Sequence, residues 1–212
     1  EALGLMFDFE WTNRTLFNSS YTRAASYYPN SEFSAKGKPE GAEWLLLSPF
    51  RGQLPAKLFT EPFKMPVTDG RGIPRETMRR ALGLLAEAGW KPSGQRLTNG
   101  KGQPLSFEIL LVNPNLERIL QPFTENLASI VIQANLRTVD RAQDKQRLDR
   151  FEFDMILLTL PLTLRLGLEQ SLYIHLSQAR VHRGKNYSVN NQPLVEHQIE
   201  KMFYARALHD PV

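Results

Sequence analysis

The chain has 212 residues, a net charge of +4 and an isoelectric point near 9.4, with 42% hydrophobic and 23% charged residues and no cysteine. The missing thiols exclude disulfides, cysteine nucleophiles and cysteine-based zinc sites, and no apolar run reaches the roughly 18–20 residues that cross a bilayer. Both charge signs are interspersed; the nearest thing to a basic stripe, Arg141–Arg150, is interrupted by Asp144 and Asp149 and reads as a solvated helix face, unlike a nucleic-acid module.

From Ala2 to Phe17, Leu3, Met6, Phe7, Trp11 and Arg14 recur at helical spacing and predict one core-facing helix, ended by Asn18-Ser19-Ser20. Residues 20–72 are punctuated by Pro29, Pro39, Pro49, Pro55, Pro62 and Pro66, which disfavours long helices and central strands. Trp44-Leu45-Leu46-Leu47, Phe50, Leu58, Phe59 and Phe63 are nevertheless too apolar for a disordered linker, so an ordered excursion of short helices is predicted. Arg75–Gly89 is the clearest helix: Met78, Ala81, Leu82, Leu85 and Ala88 share a face, Pro74 stands at the start and Gly89 follows the last turn. Leu97–Leu105 reads as a hairpin turn with Asn99-Gly100 supplying positive φ values.

Leu105–Val112 is a strand, apolar on both faces toward its end and therefore central. Leu116–Leu127 is an amphipathic helix, continuing apolar at Ile130 and Val131, with a kink expected at Pro122. A short strand over Leu136–Val139, a polar helix over Asp140–Phe151, a second buried strand over Phe153–Thr159 and a closing helix over Pro193–Ala207 complete the order. Alternating strands and helices predict an α/β fold, a small mixed sheet flanked by helices with right-handed crossovers, in a single domain over residues 1–212 that contains the 20–72 excursion.

Motifs for catalysis and cofactors are missing. His175, His182, His197 and His209 form no metal-binding spacing, and no G-x-S-x-G elbow occurs. Gly70-Arg71-Gly72 and Gly100-Lys101-Gly102 lack the Lys-Ser or Lys-Thr of a phosphate loop and read as turns. Asp8 and Glu10 do not face each other on a helix, and with Glu152 and Asp154 they read as solvated or capping. No catalytic residue, metal ligand or cofactor is therefore assigned.

Two segments suit recognition. Ser20, Tyr21, Thr22, Arg23, Ser26, Tyr27 and Tyr28 follow the first helix; Tyr and Arg give large contact area at low entropy cost, and plain loop packing is the other reading. Thr159–Gln170 leaves the end of a strand, where open α/β sheets place ligands, with an ordinary loop as the alternative.

Arg79-Arg80-Ala81-Leu82-Gly83-Leu84-Leu85-Ala86-Glu87-Ala88-Gly89-Trp90 resembles the "ALxLLxEAGW" helix of the extracellular solute-binding proteins of the oligopeptide/dipeptide/nickel class. Asn99 to Leu105 is similar to that family's "N-x-x-G-x-P-L" hairpin, and Phe107-Glu108-Ile109 to the strand after it. Leu136–Asp140, Arg147 and Phe151-Glu152-Phe153-Asp154-Met155 resemble its "V-D...Y...R...FDFDM" block. Phe7–Asn13 resembles the branch of long receptors for oligopeptides and microcin-C-like conjugates. Two departures are Ala134-Asn135-Leu136, where relatives have Gly-Ile, and Leu160-Pro161-Leu162, where they often carry a ligand-approaching Trp.

The resemblance implies a periplasmic-binding-protein-like lobe, the second of two joined by a hinge that closes on ligand. Glu1–Asp8 carries no basic start or small-residue cleavage site, and both ends read as boundaries within a longer chain. Implied partners are an oligopeptide or peptide conjugate, the first lobe of the same receptor and the membrane subunits of an ABC transporter. The implied place is the periplasm, with no covalent chemistry, no nucleic acid and no membrane insertion. Residues expected to face ligand are Arg23, Ser26, Tyr27, Tyr28, Thr159, Leu160, Glu169, Gln170 and Asn186, within a face that extends to Arg183–Tyr187. Glu169 is the expected partner of a peptide amine and Arg23 of a carboxylate. The rival readings are a hydrolase with scattered catalytic residues and a basic nucleic-acid module.

Overall fold

A computed structural model describes residues 1–29, 34–159, 169–189 and 195. Leu160 and all of the expected closing helix except Val195 lie outside the described residues. The chain groups into two compact units: the first comprises Glu1–Arg23, Met65–Asp144 and Phe153–Leu158, the second Ala24–Lys64, Lys145–Glu152 and the described part of Thr159–Val212.

In the first unit, the single helix expected over Ala2–Phe17 is two, α1 (Ala2–Leu5) and α2 (Phe9–Phe17). Asp8 divides them: its carboxylate accepts the Trp11 backbone N–H at 3.0 Å, and such a side-chain acceptor starts a helix anew. Asn18 closes α2 in the left-handed conformation. Helix α5 (Arg75–Glu87) follows the expected span, buries Ala81 and Leu85, and is followed by Gly89 at φ +87°.

The hairpin is formed by β1 (Lys91–Ser93) and β2 (Arg96–Thr98), upstream of the expected turn. Asn99-Gly100 belongs instead to a second, wider turn closed by a Thr98–Pro104 bridge. There the Asn99 carboxamide oxygen accepts the backbone N–H groups of Lys101 and Gln103, at 2.9 and 3.0 Å. The positive φ falls on Gly102 (+77°), because the Asn99 side chain rather than its backbone organises the turn.

Strand β3 (Ser106–Leu111) is central as expected, parallel to β4 (Gln133–Thr138) on one side and to β5 (Met155–Ile156) on the other. Ile109, Leu110 and Leu111 are buried, as a strand covered on both faces requires. Helix α6 (Glu117–Ser129) connects β3 to β4 and buries Leu120, Phe123 and Leu127; Pro122 lies within it. The ring of Phe7 meets Phe123 edge-on at 5.8 Å, tying the N-terminal segment to the same core as Met6, Leu97 and Ile132. The second buried strand expected over Phe153–Thr159 shrinks to the two half-buried residues of β5, an edge strand with one partner.

Helix α7 (Arg141–Arg150) is polar as expected and is capped by Asp140, which accepts the N–H groups of Ala142 and Gln143 at 2.8 and 2.9 Å. In the second unit the proline-rich excursion forms α3 (Gly41–Leu47) and α4 (Lys57–Thr60). Trp44 and Phe59 meet edge-on at 5.4 Å, with the Arg51 guanidinium over both rings at 5.6 and 5.8 Å. Helix α8 (Glu169–Ile174) leads into a short 3₁₀ turn over Leu176–Gln178.

Candidate functional site: a sheet edge and a tyrosine segment

All three strands of the parallel sheet run the same way, so their carboxyl ends share one edge of the first unit. Val112 follows β3, Leu157 and Leu158 follow β5, and they are 40%, 49% and 44% exposed. Apolar side chains left open at this edge fit the place where such sheets receive ligands. Beside them Thr138, at the end of β4, donates its hydroxyl hydrogen bond to the carboxylate of Glu117 at the start of α6. Asn113 caps the short turn after β3 by accepting the Asn115 N–H at 3.0 Å. Sequence reading placed the loop after β5 at such an edge but missed Val112 and Asn113. The signal available was that β3, as the central strand, ends at the same edge.

Arg23 lies in the first unit, at the end of a network built on Asp8 and Glu10. Asp8 accepts from the Thr68 hydroxyl and, at 3.0 Å, from the Gly72 N–H; Glu10 accepts from the Thr68 N–H at 3.1 Å. The Arg14 guanidinium donates to the Gly70 carbonyl. Arg23 donates to the Pro66 carbonyl at 2.6 Å, sits 4.0 Å from Glu10 and stacks over Phe9 at 5.5 Å, with a side chain only 16% exposed. In these contacts Arg23 braces loop 65–72 against α2. Asp8 is a cap, one of the two readings open for it, and with the partly exposed Glu10 it also converges on Thr68.

In the second unit, Ser26, Tyr27 and Tyr28 form a compact group. The Ser26 hydroxyl oxygen accepts the N–H groups of Ala35 at 3.0 Å and Tyr28 at 3.4 Å. The Tyr27 and Tyr28 rings lie 6.3 Å apart at 49°. Tyr27 is 57% exposed and Tyr28 half-buried, so Tyr27 presents its ring outward from a fixed turn. Thr159 is exposed, and Glu169 and Gln170 begin α8. Asn186 is fully buried: its amide donates to the carbonyls of Ile174 at 2.9 Å and His175 at 3.2 Å. These bonds make the Asn186 side chain an internal brace of the backbone at Ile174 and His175.

One Ser–His contact bears on hydrolase chemistry. His175 Nδ1 lies 2.8 Å from the Ser177 hydroxyl and accepts the Ser177 backbone N–H at 3.1 Å. The second of these interactions caps the 3₁₀ turn that begins at Leu176. Among the described residues no group of three or more His, Asp or Glu could hold a metal ion, and no helix is long and apolar enough to cross a membrane.

Comparison with known proteins agrees with this architecture. Residues 1–161 match the family model of the bacterial extracellular solute-binding proteins, family 5, middle region. The oligopeptide-binding protein AppA of Bacillus subtilis, solved with a nonapeptide, superposes with a TM-score of 0.68 at 18% identity over 94% of this chain and 34% of that one. NikZ of Campylobacter jejuni, solved with Ni(L-His), gives 0.64 at 18% identity over 94% of this chain and 34% of that one. The fold is thus periplasmic-binding-protein-like, a small sheet flanked by helices.

The chain belongs to the bacterial extracellular solute-binding protein family 5. Its relatives include the uncharacterized protein YejA of Escherichia coli, 40% identical over 74% of this chain and 26% of that protein. They also include the peptidoglycan-binding protein YepA of Agrobacterium fabrum, 34% identical over 99% of this chain and 34% of that protein. The chain spans about a third of the length of the curated relatives it matches.

Proposed function

We propose that this chain is the second lobe of a periplasmic receptor that binds oligopeptides or peptide conjugates and hands them to the membrane subunits of an ABC transporter, without covalent chemistry. Family membership over residues 1–161 is the observation that carries the reading. In this mode an extended peptide is held by its main chain while loosely filled, watered pockets accept varied side chains. Ser26, Tyr27, Tyr28, Thr159, Leu160, Glu169 and Gln170 are the proposed ligand-facing residues. The similarity to a peptidoglycan-binding protein favours peptides derived from the cell wall as one form of the same cargo.

Native mass spectrometry of the full-length receptor, purified without denaturation, tests this. The expected result is a retained mass matching a short peptide or peptide conjugate. A bound sugar or metal ion, or no bound species even after a peptide mixture is added, overturns the peptide assignment while leaving the family untouched.

A further inference from the structure

The polar face of α7 and a loop from farther along the chain meet in the second unit. The Arg183 backbone N–H donates to the Asp149 carbonyl at 3.0 Å, and its guanidinium lies 3.7 Å from the Asp149 carboxylate. Lys145 reaches the same carboxylate at 2.7 Å. The rings of Phe151 and Tyr187, 5.8 Å apart, hold the two segments together beside these pairs.

Charge on the molecule is uneven as a result. Residues 145–152 and 180–185 contain six Lys and Arg against two carboxylates, so these two short segments carry the chain's whole excess of four positive charges. Asp149 is shared by Lys145 and Arg183, and Glu152 sits 3.8 Å from Arg150. Arg180 and Lys185 are exposed and make no ion pair among the described residues, and His182 is exposed between them.

The loop is held firmly enough to present these cations in a fixed place. Gly184 is buried, and a Cβ there would lie 2.2 Å from the Gln178 carbonyl oxygen, so only glycine fits. On its far side the Asn186 amide is bonded to two carbonyls. Exposed cations that are not neutralised and that sit on a braced loop favour an anionic partner over simple solvation.

We propose that the surface made by Lys145, Arg150, Arg180, Arg183 and Lys185 binds acidic groups of the cargo, and that this receptor therefore selects carboxylate-rich peptides. The inference rests on the receptor reading above and gives its ligand a charge. A membrane surface fits less well, because Val181 is the one exposed apolar side chain within the 180–185 loop. A nucleic acid fits less well, because the Tyr187 ring is already taken by Phe151.

The test is isothermal titration of the full-length receptor, freed of co-purified ligand, with the tetrapeptides Ala-Glu-Glu-Ala and Ala-Gln-Gln-Ala. The acidic peptide should bind about tenfold more tightly at low salt, with the gap narrowing as salt is raised. The double variant R180Q/K185Q should bring the ratio close to one; Arg183 is left in place because it ties the loop to α7. Equal affinities in the unmodified receptor, or a preference that survives in the double variant, overturn the inference and leave the receptor reading standing. Binding to phosphatidylglycerol vesicles or to duplex DNA that the double variant loses, without any preference between the peptides, overturns it in favour of that partner. Failure to bind either tetrapeptide overturns the inference, and the receptor reading falls with it only if native mass spectrometry with the peptide mixture also shows no bound species.

Discussion

Asp8 starts α2 and holds a loop some sixty residues away, both with one buried carboxylate. Removing it takes away an N-cap, worth about 1 kcal/mol, and leaves the Gly72 N–H without its acceptor, at about 1–2 kcal/mol, while the Thr68 hydroxyl keeps only its second acceptor, the Glu10 carboxylate at 3.1 Å. Asp8→Ala should therefore lower unfolding stability by roughly 2–3 kcal/mol in chemical denaturation. In a double-mutant cycle, Thr68→Val should cost much less in the Asp8→Ala background than alone; additive losses would mean that the two do not act as a unit. This network was illegible in the sequence, because local spacing tells only that Asp8 and Glu10 do not face each other on a helix. They meet through Thr68, which the fold brings in. The bonds of Arg23 and Asn186 were illegible for a related reason: residue type shows a side chain suited to recognition but not that the protein's own carbonyls accept from it. The Ser26–Tyr28 group was legible as a cluster because its members are neighbours in the chain.

Helix α7 and the loop that packs on it respond together to acid. The hydrogen bond from Lys145 to Asp149, followed by the charges of Lys145 and Arg183, holds the Asp149 carboxyl below the usual carboxylate range. A carboxylate whose pKa is lower folded than unfolded stabilises the fold above its unfolded pKa, near 4, and the benefit is lost as pH falls through the folded value. Asp149→Asn should lower the melting temperature at pH 7, and the difference from the parent should shrink below about pH 4. A difference that persisted unchanged at pH 2–3 would assign the effect to lost packing. Helices were the elements most readable beforehand, since α5, α6 and α7 each show their polar or apolar character at a period of 3.6. The turns and the last strand were not. Asn99-Gly100 has the composition of a tight hairpin turn, yet Gly94 and Gln95 connect β1 to β2. An apolar run such as Met155–Leu158 reads as a buried strand whether or not partners exist to pair with all of it.

At the scale of the whole molecule, the fold class followed from the alternation of strand and helix, and the family from four ordered blocks of residues; composition alone would have left a mildly basic α/β protein. What no linear reading exposed is how the chain's charge is distributed, because residues 145–152 and 180–185 become one surface only after folding. The central position of β3 also has a kinetic side. Its partners in β4 lie 27 positions away along the chain, and those in β5 lie 46 positions away. Closing the longer loop costs only about 0.5 kcal/mol more, but β5 repays it with two paired residues where β4 offers six. Amide hydrogen exchange at Met155 and Ile156 should accordingly outpace that at Ile109 and Leu110, and equal protection would mean that the sheet opens only as a whole. The strand leading to Leu157 and Leu158 is thus the last part of the sheet to be secured and the first to loosen, so the apolar edge can adjust to what it meets while the rest of the sheet stays formed.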